Sequence, residues 1–157
     1  MALCVAIYLA MNRLDLAERQ LKMMQDVDDE DVLSGLAASW VYLAAGGERV
    51  QEAYLILQEL VEKHGPTATI SNCLAVCMIA KKSYADALQL LKEAREQASN
   101  AVYSLPDILA NTLVCLQLLH DLTEFDATEA ALKKIDPNHI WFRRAEEANR
   151  LIDAIVL

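Results

Sequence analysis

The sequence predicts an all-α fold, a solenoid of about four helix pairs followed by a C-terminal capping helix. Three observations carry that expectation. Only four glycines and three prolines occur in 157 residues, too few for an all-β fold that turns every 8–12 residues or so. A small residue recurs at Ala17, Ala53 and Ala87, at intervals of 36 and 34 residues. Apolar residues between these points fall at helical spacing, with no strand-like alternation.

The elements follow in order. Tyr8, Leu14, Ala17 and Leu21 outline the first pair. Leu36-Ala37, Trp40, Val50, Ala53, Leu57 and Leu60 outline the second, with Ala45-Gly46-Gly47-Glu48 as the turn between its helices. Leu74-Ala75, Met78, Tyr84, Ala87, Leu91 and Ala94 fill the same roles in the third. A large and a small residue side by side, an apolar residue one turn later and an apolar stripe on a second helix resemble the tetratricopeptide repeat, in which small side chains let two helices approach closely. Leu109-Ala110 and Leu113 open a fourth unit in the role of Leu74-Ala75 and Met78, and Leu122, Phe125, Leu132 and Ile135 form its second helix before Asp136-Pro137. Residues 138–157 form the capping helix, with Trp141, Ala145, Ala148, Leu151, Ile152 and Ile155 on its apolar side. Gly65-Pro66 and Ser104-Leu105-Pro106-Asp107 supply breaks and first turns. The result is one unit over residues 1–157 with about nine helices and no strand.

Charge narrows the partners. Fourteen Lys and Arg against 23 Asp and Glu leave a net charge of -9, and no basic patch is segregated. Nucleic acid and anionic lipid are therefore not expected to bind directly. The apolar run from Ala2 to Met11 has half the length a bilayer requires, and no positive segment precedes it, so neither a membrane span nor a signal peptide is expected. Apolar residues from the second position onward, with no cap and no polar outer face, predict instead a C-terminal fragment of a longer array, in which Ala2, Val5, Ile7 and Leu9 pack on a preceding helix. Cys4, Cys73, Cys77 and Cys115 lie in apolar helical runs and act as small hydrophobes, which points to a reducing compartment.

No catalytic or cofactor pattern emerges. The acidic run Asp26 to Asp31 fails the calcium-loop test, since its sixth position is Asp31 and its twelfth Ala37. Cys73 and Cys77 alone do not close a tetrahedral zinc site. Gly46-Gly47-Glu48 lacks the phosphate-cradle spacing, and His64, His120 and His139 have no nucleophile grouped with them. The chain is expected to be no enzyme and to need no cofactor or metal.

The order Arg13-Leu14-Asp15-Leu16-Ala17, Met24-Gln25-Asp26, Asp28-Asp29-Glu30-Asp31, Leu36-Ala37-Ala38-Ser39-Trp40, Gly46-Gly47-Glu48 and Gln51-Glu52-Ala53-Tyr54, with Pro106-Asp107, Leu109-Ala110-Asn111 and Leu113-Val114 later, is similar to the epsilon-subunit family of the coatomer, the COPI vesicle coat. The resemblance implies a structural coat subunit in Golgi-to-ER and intra-Golgi transport, cytoplasmic and peripheral on Golgi membranes and COPI-coated vesicles. It implies binding to the C-terminal domain of the alpha subunit, with other coatomer subunits reached indirectly.

The binding surface is read from the residues themselves. The segments Ile70 to Ala80 and Leu109 to Leu119 are apolar nearly all round, so they must be covered on every side. Core positions leave Val41, Tyr42, Val76, Ile79 and Val114 facing inward, joined by Asn72 and Asn111. Either neighbouring helices cover these side chains or a partner chain does, and an apolar patch of this extent favours the partner chain, so all seven are expected to face a partner. The competing function is a tetratricopeptide adaptor or co-chaperone that captures charged peptides, but its carboxylate clamp needs inward Lys and Arg, and only Asn72 and Asn111 stand there.

Overall fold

The structure is a computed structural model, which describes residues 1–98 and 104–156, the last two without side chains. Among the described residues there are nine helices and no strand: α1 (Ala2–Ala10), α2 (Leu14–Gln25), α3 (Val32–Ala45), α4 (Arg49–His64), α5 (Ala68–Ala80), α6 (Tyr84–Gln97), α7 (Leu105–Leu119), α8 (Leu122–Ile135) and α9 (Ile140–Val156). The first eight form antiparallel pairs, and the first helices α1, α3, α5 and α7 also touch in succession. The fold is an all-α helical-repeat solenoid of the tetratricopeptide type.

Each core joins a pair to its neighbour. Val5, Ala17, Leu21 and Met24 pack with Ala37, Ala38 and Val41. Ala53, Leu57 and Leu60 pack with Ile70, Leu74 and Cys77, and Ala87, Leu91 and Ala94 with Ile108 and Cys115. Ala17, Ala53 and Ala87 are fully buried, so the recurring small residue is where two helices come closest. Val5 belongs to this core, which corrects the expectation that it faces a preceding helix. The outward apolar stripe of α1 is Leu3, Ile7 and Met11, one turn apart and exposed.

Polar links follow the same period. Arg49 meets Glu18 at 2.7 Å, Lys81 donates to Gln51 at 2.5 Å and lies over the Tyr54 ring, and Lys92 meets Glu124 at 3.3 Å. All are at the surface, where such pairs contribute roughly 0–1 kcal/mol, so they tune the stacking while the cores hold it.

The turns within pairs reveal the register. After α1, α5 and α7 the chain passes through left-handed Asn12, Lys82 and His120, with φ of 56°, 65° and 60°. Each turn closes in the same way: the amides of Arg13, Ser83 and Asp121 donate to the carbonyls of Tyr8, Met78 and Leu116. Lys82 and His120 are 38 residues apart, so Leu116 corresponds to Met78 and Leu113 to Ala75. This corrects the expected register of the fourth unit, in which Ala110 and Leu113 took those roles. On the second helix the same step puts Phe125 opposite Ala87 and Glu129 opposite Leu91. The fourth pair therefore carries large side chains at both positions where the third carries alanine.

A left-handed lysine is strained by its Cβ, at a cost of about 1–2 kcal/mol that glycine avoids. Lys82→Gly is expected to raise the unfolding free energy by about 1 kcal/mol, since Lys81 and not Lys82 makes the surface contacts; urea titration checks the sign. Ala87→Phe, which forces a ring into the closest helix approach, should lower stability by about 1–3 kcal/mol in the same assay.

Candidate partner-binding groove

A groove of about 760 Å³ opens beside the fourth pair. Phe125 and Glu129 of α8 form its floor, both half-buried. Asn72 of α5 and Ala110, Asn111, Val114 and Gln117 of α7 form one wall. The opposite wall is α9, through Trp141, Ala145, Ala148 and Ile152. Trp141 fills the part nearest Phe125, with ring centroids 6.1 Å apart, and Phe142 meets Trp141 edge-on at 5.2 Å. The groove is mixed in character, as binding pockets are: apolar side chains with a few placed polar groups.

Its polar groups are paired across helices. Asn111 Nδ2 donates to Asn72 Oδ1 at 2.9 Å, which links α7 to α5. Among the described residues this leaves Asn72 Nδ2 and Asn111 Oδ1 to pair with a ligand. At one end His139 Nδ1 accepts the Trp141 amide at 3.3 Å, so in the neutral ring Nε2 carries the proton donated to Asp107 at 3.1 Å.

The seven residues expected to face a partner divide. Asn72, Asn111 and Val114 come together in this groove. Val41 is fully buried against α1 and α2, a correction: the neighbouring repeat covers it and no surface remains. Tyr42 is half-buried between two cores, with the Arg49 guanidinium 5.3 Å above its ring. Ile79 packs on the core around Leu91 and stays half-buried, as does Val76 on α5, and both lie outside the groove. Sequence reasoning missed α9 as a wall. Its signal was present in the spacing of Trp141, Ala145, Ala148 and Ile152, which the capping expectation absorbed. Ile155, expected on the same face, lies outside the described side chains, and residue 157 outside the described chain.

The remaining chemistry is inert. Burial pushes the Cys77 and Cys115 thiols up to about 11 and raises that of Cys73, so at neutral pH they are protonated hydrophobes. Cys4 differs from the expectation: it is exposed on α1. The acidic run is a turn into α3, with Asp28 Oδ1 accepting from the Glu30 amide and the Asp28 carbonyl accepting from Ser34 Oγ. Among the described residues no three His, Cys, Asp or Glu side chains converge as a metal site.

The chain is a helical-repeat protein of the tetratricopeptide type, with a mixed groove beside paired amides. The chain belongs to the coatomer epsilon subunit family, whose model matches residues 1–157. It is 39% identical over 147 residues to coatomer subunit epsilon-1 of Arabidopsis thaliana, covering 94% of this chain and 48% of that protein. Coatomer subunit epsilon-1 of Oryza sativa subsp. japonica is 38% identical over 147 residues, 94% of this chain and 49% of its own length. Coatomer subunit epsilon of Dictyostelium discoideum is 30% identical over 155 residues, 98% of this chain and 50% of its own. The chain thus spans about half the length of these curated relatives.

The thiol assignment has a direct check. A thiol reagent at pH 7 should label Cys4 quickly and Cys73, Cys77 and Cys115 only as fast as the fold opens. Because their raised pKa disfavours thiolate until about pH 11, Cys77 and Cys115 should stay protected when the pH is raised to 8.5. Peptide mapping of the label distinguishes the sites.

Proposed function

We propose that this chain is part of a structural subunit of the COPI vesicle coat, serving Golgi-to-ER and intra-Golgi transport from the cytoplasmic side of Golgi membranes and coated vesicles. Its partner in this reading is the C-terminal domain of the coatomer alpha subunit, through which it reaches the other coatomer subunits. Contact is made in the groove at Asn72, Asn111 and Val114, and the chain performs no catalysis. The observation that carries the reading is that groove in a member of the coatomer epsilon subunit family. Its apolar wall offers burial to partner side chains, and its amide pair offers hydrogen bonds to a partner backbone. No helix among the described residues is long and apolar enough to cross a membrane, so attachment to a vesicle is assigned to the coat partners.

The adaptor alternative gains nothing from the geometry. A clamp for charged peptide ends needs several inward cations, and Arg144 is the single Arg or Lys on the described lining of the groove.

Val114→Asp places a charge against a desolvated partner surface, which costs about 2 kcal/mol or more, a loss of roughly 30-fold in affinity. Val114 is half-buried in the free chain and outside the buried cores, so helicity is expected to persist. Calorimetric titration with the C-terminal domain of the coatomer alpha subunit reads the affinity, and circular dichroism the fold. A well-folded Val114→Asp protein that binds as tightly as the parent would place the interface elsewhere.

A further inference from the structure

We draw no further inference here: the strongest candidate, the groove of about 350 Å³ between the turn into α3 and the C-terminal half of α4, rimmed by Asp29, Glu30, Asp31 and Glu59 over Ala38 and Leu60, rests on a cluster of acidic side chains with no second observation that points to a ligand.

Discussion

Close approach of two helices at a single small residue is the constraint on which this structure depends. At Ala17, Ala53 and Ala87 the second helix of each pair buries a methyl group completely against its neighbours. Packing of this kind brings Leu21, Leu57 and Leu91 one turn later into the core, and it repeats because each pair can bury its apolar stripe only against the next. The interhelical salt bridges follow the same period on the outside but contribute little, since all their side chains are close to half exposed.

Where that spacing changes, the groove begins. Leu113 replaces the small residue of α5 and packs in the last core with Leu132, and Phe125 replaces that of α6 and lines the groove. Glu129 stands where Leu91 is core in the preceding unit, half-buried at the floor of the opening. A carboxylate tolerates that position because the groove is wet; in a closed pair its desolvation would be prohibitive. Trp141 and Phe142 then shield the exposed end of the last core, which is all the capping the structure requires of α9. Phe125 thus lines the groove and packs against Trp141, the first-turn residue of its second wall.

The inner surface elsewhere is already occupied. Val41 and Ile79 meet the adjoining repeats, and Tyr42 spans two cores with Arg49 on its exposed face. Apolar first helices in this chain therefore serve two ends. They supply the contacts between units, and α7, joined by Asn72 of α5, also lines the groove. The Asn72 to Asn111 bond marks the boundary: it joins the last regular unit to the open one, and it leaves polar groups of both amides facing the space.

The all-helical class, the period of the repeat, the buried alanines and leucines of three pairs and the family resemblance were all legible in the chain of residues, because each is carried by spacing within one or two helices. Asn72, Asn111 and Val114 could be placed on the inward side for the same reason. The register of the fourth unit emerges only in the folded chain, since it is set by a left-handed histidine at position 120, a residue type that does not announce a turn as glycine does. Folding likewise settles that Val41 is fully covered while Val114 is only half-buried. Two inward valines, 41 and 114, are alike in local pattern; what separates them is whether the neighbouring pair can close over them, and closure depends on side-chain volumes at residues dozens of positions away.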